Sequence, residues 1–186
     1  MSTALILVDF QQDYFPGGRM EVVGAVEACG VARSLLNYFR GKDLPIIHVR
    51  HISTRPDATF FLPDTAGTAI HEDVAPLPHE VVIKKHFPNS FRGTELQKHL
   101  VSGQIDELVV CGMMSHMCID ATVRAAFDSG YTCIVAHDAC AARDLEFQGV
   151  HVPAAHVHGA FMAALGAVYA KVMSAGEIIA IPHISA

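Results

Sequence analysis

Short apolar runs alternate with helix-like segments along almost the whole chain of 186 residues. The run over residues 3–8 consists of apolar or small residues, which is typical of a parallel strand buried on both faces. Strands that alternate with helices form a mostly parallel sheet covered by helices on both sides, so the pattern predicts an α/β protein. The predicted strands are 3–8, 44–49, 80–84, 107–111, 131–136 and 177–180, and the predicted helices are 22–39, 94–100, 115–129 and 153–170.

Composition narrows the class of protein. Apolar residues make up 51% of the chain and charged residues 17%, which predicts one globular domain and apolar surface for a homo-oligomer, a dimer or a tetramer. The net charge of −6, without a basic run, argues against nucleic acid as a partner. No apolar stretch predicts a membrane span or a signal peptide, so no membrane partner is expected. Five cysteines without a Cys-x-x-Cys pair fit a reducing compartment, which predicts a cytoplasmic protein.

The carboxyl ends of the predicted strands carry chemically reactive side chains. In parallel α/β sheets, ligands bind beyond these ends. Asp9 follows the first strand, and Lys84 and Lys85 follow the third. Cys118 follows the fourth strand, and Cys140 follows the fifth together with Asp138. The site is therefore expected at this edge of the sheet.

Cys118 is the candidate nucleophile. It lies where a strand-like run that ends at Gly112 gives way to a helix-like run beginning near Ser115. Unpaired N–H groups and the helix dipole at such a place favour the thiolate. Cys140 is the rival nucleophile, but it is not expected at the start of a helix.

Asp9 and the lysine pair each allow two interpretations. A carboxylate at a buried strand end is either an N-cap or ion-pair partner, or a general base that takes the thiol proton. Because neighbouring strand residues face opposite sides, one of Lys84 and Lys85 should point inward. An inward lysine would lower the pKa of a nearby cysteine, whereas an ordinary edge-strand lysine would do nothing.

The twelve histidines do not have the spacing of a metal site. The closest groupings are His48 with His51, and His151 with His156 and His158; neither matches a zinc motif or includes an acidic residue. The glycines form no phosphate loop or dinucleotide fingerprint. We therefore expect no metal and no cofactor.

Three segments together resemble the isochorismatase-like cysteine hydrolase superfamily, which includes nicotinamidases and N-carbamoylsarcosine amidases. Residues 7–15 read Leu-Val-Asp-Phe-Gln-Gln-Asp-Tyr-Phe, and residues 85–91 read Lys-His-Phe-Pro-Asn-Ser-Phe. Residues 110–124 read Val-Cys-Gly-Met-Met-Ser-His-Met-Cys-Ile-Asp-Ala-Thr-Val-Arg. The segments occur in the family's order, and the spacing from lysine to phenylalanine selects Lys85 over Lys84.

The resemblance implies a fold and a set of site residues. The expected fold is a single isochorismatase-like hydrolase domain over residues 1–186, a Rossmann-like three-layer αβα architecture with a six-stranded, mostly parallel sheet. The implied catalytic triad is Asp9, Lys85 and Cys118. A cis peptide between Met113 and Met114 is also implied, with an oxyanion hole formed by the N–H groups of Met114 and Cys118.

The chain departs from the nicotinamidases of the superfamily at one place. Those enzymes carry an Asp-x-His metal signature after the second strand, where residues 48–53 here read His-Val-Arg-His-Ile-Ser. The lack of the aspartate counts against a metal-dependent nicotinamidase. The expected substrate-binding residues are instead Phe15, Arg50, Arg55, Phe60 and Phe87, and each arginine either binds a carboxylate of the substrate or has only a surface role.

The function expected from these residues is that of a metal-independent cysteine amidase. It would cleave a small amide, carbamoyl or ureido C–N bond through a thioester on Cys118, with a small-molecule substrate as its partner. Two alternatives remain open. One is an isochorismatase-type vinyl-ether hydrolase, in which Asp9 acts as an acid, and the other is a non-catalytic binding protein that retains the triad.

Overall fold

Six parallel strands form the central sheet of the protein. The computed structural model describes residues 2–182 and residue 184. They are β1 (Thr3–Val8), β2 (Ile46–His51), β3 (Val81–Lys85), β4 (Glu107–Met113), β5 (Thr132–Ala141) and β8 (Lys171–Met173), where the numbering leaves room for the two strands of a separate hairpin described below. The strands lie in the order β3-β2-β1-β4-β5-β8, and every neighbouring pair is parallel. The expected six-stranded α/β fold is confirmed, and the described sheet is wholly parallel.

Helices cover both faces of this sheet. They are α1 (Ala25–Gly41), α2 (Leu96–Ser102), α3 (Asp120–Asp128), α4 (Ala154–Val168) and α5 (Ala175–Ile179). The chain moves from β1 to β2 in one direction and from β4 to β5 in the other, so right-handed crossovers place α1 and α3 on opposite faces. Helix α5 packs beside α1, and α4 packs beside α3. Within the described residues, no helix is both long and apolar enough to cross a membrane.

The centre of the sheet is fixed by the pairing of β1 with β4. All residues of both strands are buried, as their nearly continuous apolar sequences predict. The pairing runs from Thr3 opposite Glu107 to Val8 opposite Gly112. Gly112 has φ +134°, and a side chain there would collide with the backbone of Val8. A glycine at this position lets the two strands stay close up to their carboxyl ends, where the site begins.

The prediction of the sixth strand was wrong. Residues 177–180 do not form a strand, because most of this segment belongs to helix α5. The Ser174 hydroxyl accepts a hydrogen bond from the Glu177 N–H, and the Glu177 carboxylate accepts one from the Ser174 N–H. This capping box starts a helix at Ala175. The sixth strand of the sheet is the preceding three-residue segment, β8.

A long excursion connects β2 to β3. It contains two short 3₁₀ turns, Ala66–Thr68 and Glu72–Val74. The buried Asp13 carboxylate accepts a hydrogen bond from the Phe61 N–H over 2.6 Å and so ties the excursion to the loop after β1. A small antiparallel hairpin of β6 (Leu145–Phe147) and β7 (Val150–Val152), which the sequence did not predict, precedes α4.

Candidate active site

Three strand ends bring Asp9, Lys85 and Cys118 together. The Lys85 Nζ atom lies 2.7 Å from Asp9 Oδ2 and 3.1 Å from Cys118 Sγ. Asp9 and Lys85 are fully buried, and Cys118 is 4% exposed. Lys84 points the other way and is exposed, as alternation along a strand requires. The sequence therefore selected the lysine that lies beside the thiol.

The backbone is irregular around Asp9 and Cys118. Asp9 follows β1 directly and has φ +55°, in the left-handed region that aspartate tolerates better than most residues. The peptide bond between Met113 and Met114 is cis, as the family resemblance implied. Cys118 lies in the π-helical turn Ser115–Ile119 that follows it, immediately before α3.

The Lys85 ammonium donates three hydrogen bonds. The acceptors are Cys118 Sγ at 3.1 Å, His51 Nδ1 at 3.0 Å and the Phe87 carbonyl oxygen at 3.2 Å. Lys85 Nζ also forms an ion pair with Asp9 Oδ2 at 2.7 Å. The Asp9 carboxylate interacts with the Cys118 thiol as well, and this contact raises the pKa of Cys118. The carboxylate is therefore placed to accept the thiol proton.

Electrostatics favour a neutral thiol in the resting site. Burial raises the pKa of Cys118, the negative charge of Asp9 raises it further, and Lys85 lowers it by less. The expectation that the start of a helix favours the thiolate is therefore wrong for the resting protein, because burial and Asp9 outweigh Lys85. Burial disfavours charge on Lys85, but Asp9 and Cys118 outweigh burial and raise the pKa of Lys85. The lysine is therefore a permanent cation beside the sulfur.

A cavity of about 190 Å³ opens onto the thiol. Its walls are mainly aromatic and thioether side chains, contributed by Tyr14, Phe60, Phe61, Phe87, Met114 and Met117. The polar side chains on its surface include His51, Arg55 and His86. Its size suits a small molecule, and its apolar walls would exclude water from a bound one.

The expected substrate-binding residues fall into two groups. Phe60, Phe87 and Arg55 line the cavity. Phe15 instead stacks on His71, with ring centroids 4.0 Å apart, and does not line the cavity. Arg50 lies on β2 opposite Lys84 and does not line it either.

Other lining residues were missed by the sequence analysis. His51 follows Arg50 and so faces the other side of β2, where it pairs in register with Lys85. Tyr14 lies in the segment that carries the first motif, and Phe61 follows Phe60 directly. Strand alternation could have shown that His51 and Arg50 face opposite sides of β2. Placing His51 beside Lys85 also requires the register between β2 and β3, which the sequence alone does not give.

A wider groove of about 520 Å³ lies elsewhere, at the amino ends of β2 and β3. Its polar residue Glu80 is already bonded to Arg40, His48 and the Leu77 N–H. Asp43, His79 and His99 also line the groove, but none of its lining residues is a cysteine, so it offers no nucleophile comparable to Cys118. Because ligands of parallel sheets bind at the opposite edge, the smaller cavity at Cys118 is the better candidate.

The rival nucleophile lies inside the sheet. Cys140 pairs with Gly112 within β5, which extends to Ala141 and not only to the expected residue 136. Burial raises the pKa of Cys140 to about 12. Cys140 is not among the residues lining the cavity, so the geometry favours Cys118.

The Lys85 ammonium occupies a position in which a metal ion could be bound. One ligand atom each from Asp9, His51 and Cys118 lies within 4.8 Å of the others, a spacing compatible with a shared metal ion. The Lys85 ammonium contacts all three groups, at distances between 2.7 and 3.1 Å. Within the described residues, these side chains thus surround a cation that the chain itself supplies.

Comparison with known proteins decides the family. The model of the isochorismatase domain matches residues 3–173. The chain belongs to the isochorismatase family of hydrolases. The isochorismatase family protein YddQ of Bacillus subtilis (strain 168) is 53% identical over 92% of this chain and 96% of its own length. The structure of an isochorismatase hydrolase from Oleispira antarctica superimposes with a TM-score of 0.93 and 52% identity, covering 97% of both chains.

Named amidases and a related hydrolase are also similar to this isochorismatase-family chain. The streptothricin hydrolase of Streptomyces noursei is 31% identical over 98% of the chain and 69% of its own length. The structure of N-carbamoylsarcosine amidase from Thermoplasma acidophilum has a TM-score of 0.82 and 26% identity, covering 94% of this chain and 97% of that one. The maleamate amidohydrolase of Pseudomonas putida is 28% identical over 73% of this chain and 70% of its own.

Proposed function

We propose that this isochorismatase-family hydrolase is a cysteine amidase. It cleaves the C–N bond of a small amide, carbamoyl or ureido compound through a thioester on Cys118, without a metal. One observation carries the proposal: the Lys85 ammonium contacts both the Asp9 carboxylate, at 2.7 Å, and Cys118 Sγ, at 3.1 Å. Asp9 is thus placed to take the thiol proton, and the Lys85 cation is placed to stabilise the negative charge that develops on the sulfur.

The first half of the reaction forms the thioester. Asp9 takes the thiol proton while the sulfur attacks the carbonyl carbon, and Lys85 stabilises the sulfur as it loses the proton. The carbonyl oxygen becomes an oxyanion held by the N–H groups of Met114 and Cys118, each such donor contributing about 3–4 kcal/mol in comparable sites. Protonated Asp9 then gives its proton to the leaving nitrogen, and ammonia or an amine departs.

The second half releases the acid. Asp9, again a carboxylate, takes a proton from water, and the oxygen of that water attacks the thioester carbon. The C–S bond breaks, the carboxylic acid is formed, and the Cys118 sulfur recovers its proton from Asp9. The sum is an amide and water giving an acid and ammonia or an amine.

The cavity and the relatives support this substrate class. A volume of about 190 Å³ suits a small substrate better than a peptide chain. Amidases are among the similar proteins, in particular N-carbamoylsarcosine amidase and maleamate amidohydrolase.

We also propose a homo-oligomer in a reducing, cytoplasmic setting. Helix α4 has no Asp, Glu, Lys or Arg, and Ala155, Ala163 and Ala167 are exposed on it, which suits packing against another copy. All five cysteines are free, which agrees with a reducing compartment.

A second candidate is vinyl-ether hydrolysis, for which a protonated Asp9 would be the acid. The observation in its favour is the position of Asp9, whose fully buried carboxyl group lies beside Cys118 and could serve as that acid. This reaction does not need the Cys118 sulfur, so the cysteine distinguishes the two chemistries. A binding protein without catalysis is the third possibility.

The deciding experiment measures ammonia release from succinamate, butyramide and a ureido acid. The wild type should turn over at least one of them, and Cys118→Ala should lower kcat by about 10⁴-fold or more. Cys140→Ala is the matched control and should retain activity. Equal activity of Cys118→Ala would disprove the thioester route, and an inactive wild type would favour vinyl-ether hydrolysis or binding alone.

A further inference from the structure

His51 has two ring nitrogens in different surroundings. It is the last residue of β2 and pairs in register with Lys85 on β3. Its Nδ1 atom lies 3.0 Å from Lys85 Nζ, while no described residue hydrogen-bonds to its Nε2. The ring also forms part of the cavity wall that includes Cys118.

The contact with Lys85 selects one tautomer of the ring. A lysine ammonium has protons to donate and no lone pair to accept with, and Asp9 at 2.7 Å keeps it charged. Nδ1 must therefore be the unprotonated acceptor, which leaves the single proton of the neutral ring on Nε2.

The charges around the ring keep it neutral. Burial and then the Lys85 charge lower the pKa of His51 to about 4, and Asp9 opposes them by less. His86 and Arg55 also face the ring and lower the pKa further. At neutral pH His51 is therefore an uncharged donor at Nε2.

The backbone of His51 is clamped by a buried side chain. The His51 N–H donates to Gln11 Oε1 over 2.6 Å, and Gln11 Nε2 donates to the His51 carbonyl over 2.8 Å. Gln11 Nε2 also donates to the Thr68 carbonyl at 3.0 Å. This clamp holds the strand end in place, so the ring is presented to the cavity in one position.

A fixed N–H donor in an aromatic cavity needs an acceptor once water is excluded. An N–H that loses its water partner and gains no other costs about 1–3 kcal/mol. The other side chains that line the cavity are mainly apolar, with Arg55 as a cation and Ser53 and Thr54 as hydroxyl groups, and none of them hydrogen-bonds to Nε2. In the proposed reaction the scissile carbonyl oxygen already has the N–H groups of Met114 and Cys118 as its donors, so the acceptor for the Nε2–H is a different group of the substrate.

We propose that His51 is a substrate-binding donor whose Nε2–H hydrogen-bonds an acceptor of the substrate other than the scissile carbonyl oxygen. This inference rests on the proposed amidase function and narrows its substrates. They are small amides with a second acceptor, such as a carboxylate, in place of simple alkyl amides. Lys85 thus has a second task, because it sets the tautomer of the binding residue.

The first test is independent of turnover. In protein labelled with ¹⁵N-histidine, the resonance lost in His51→Asn identifies the ring, and its nitrogen shifts at neutral pH should be those of a neutral Nε2–H tautomer. In Lys85→Met the ring should become a mixture of tautomers. An Nδ1–H tautomer or an imidazolium in the wild type would overturn the proposal.

The second test compares succinamate with butyramide, which has a methyl group in place of the carboxylate. His51→Asn keeps an acceptor near Lys85 but loses the distal donor, so KM for succinamate should rise about 10-fold or more with little change in kcat. For butyramide the change in KM should be much smaller than for succinamate, and His99→Asn, at an exposed histidine on α2, should affect neither substrate. Equal effects on both amides, or a loss confined to kcat, would refute the proposal that His51 donates a hydrogen bond to the second acceptor of the substrate.

Failure of the amidase proposal can be separated from failure of this one. If the wild type hydrolyses neither amide, binding is followed in Cys118→Ala, where succinamate should shift the His51 Nε2 resonance and butyramide should not. A shift without turnover supports the donor and rejects the amidase. Absence of a shift with succinamate rejects the donor. Thermal unfolding curves of His51→Asn and of a second variant, His51→Gln, check that any effect of the substitution is not caused by misfolding.

Discussion

The ammonium of Lys85 lies 2.7 Å from the carboxylate of Asp9, and neither side chain is exposed to solvent. Removing one partner of such a pair leaves an uncompensated charge in the interior, whereas replacing both by neutral groups removes the desolvation cost as well. Replacing only one of the two residues should therefore lower the free energy of unfolding. This cost can be measured without knowing the substrate.

Asp9→Asn should destabilise the protein by about 3–5 kcal/mol, because the buried Lys85 loses its counter-charge. Asparagine tolerates the left-handed backbone at this position, so the loss reports mainly on the charge. The double variant Asp9→Asn with Lys85→Met should recover most of the stability. Urea unfolding measures both, and Lys84→Met at the exposed neighbour should stay within about 0.5 kcal/mol of the wild type. A double variant as unstable as the sum of the single ones would contradict the account.

Lys85→Ala should convert the site into a metal site. With the ammonium gone, the groups of Asp9, His51 and Cys118 remain within 4.8 Å of one another and can share a divalent ion. Titration with Co²⁺ should produce thiolate-to-metal absorption in Lys85→Ala and none at this site in the wild type. Cys118→Ser in the Lys85→Ala background should remove the band. Equal Co²⁺ binding by wild type and variant would show that the lysine does not occupy the cation position.

Arg55 should discriminate between charged and neutral substrates. Its guanidinium lines the cavity and has only a loose contact with Asp57, 3.8 Å away, so it is free to meet a carboxylate. Arg55→Gln should raise KM for succinamate about 10-fold, and leave KM for butyramide unchanged. Arg50→Gln is the matched control, since Arg50 does not line the cavity. A larger effect from Arg50 than from Arg55 would restore the original expectation for that residue.

The sequence predicted best those strands whose residues are all buried. Strand β1 has the expected bounds because every one of its residues is buried, so an apolar run marks it fully. Strand β8 was missed because three residues at the sheet edge carry no clear pattern, while the Ser174 capping signal next to it was not used. Short elements depend on their neighbours more than on their own sequence.

The site was predictable where residues follow strand ends. Asp9 and Cys118 were found because the topology of a parallel sheet gathers its carboxyl ends, and the family resemblance selected Lys85 over Lys84. His51 was missed because its importance depends on register with Lys85, which one strand alone does not specify. Tyr14 and Phe61 were missed because loop side chains are placed by distant contacts, such as that of Asp13 with the Phe61 N–H. Likewise, the raised pKa of Cys118 depends on burial that the helix-start argument left out.

Glu80 anchors the far end of the excursion that carries Phe60 and Arg55. Its carboxylate is almost fully buried and accepts two hydrogen bonds from Arg40, at 2.7 and 2.8 Å, and one from His48 at 2.9 Å. Burial raises the pKa of Glu80, but the hydrogen bonds from Arg40, the Leu77 N–H and His48 outweigh it and lower the pKa to about 2. The folded protein therefore favours the carboxylate more than the unfolded chain does.

This difference predicts how stability depends on pH. The folded pKa of about 2 lies below the ordinary value of 4.5, so the unfolded chain binds more protons between these values. The contribution of Glu80 is present in full above 4.5 and is lost as the pH falls towards 2. Glu80→Gln should thus cost about 3 kcal/mol at neutral pH, and the difference from the wild type should shrink across this acidic window. Urea midpoints of both proteins at several pH values from neutral into that window measure it. A difference that stays constant on acidification would mean that Glu80 stabilises the loop by packing and not by its charge.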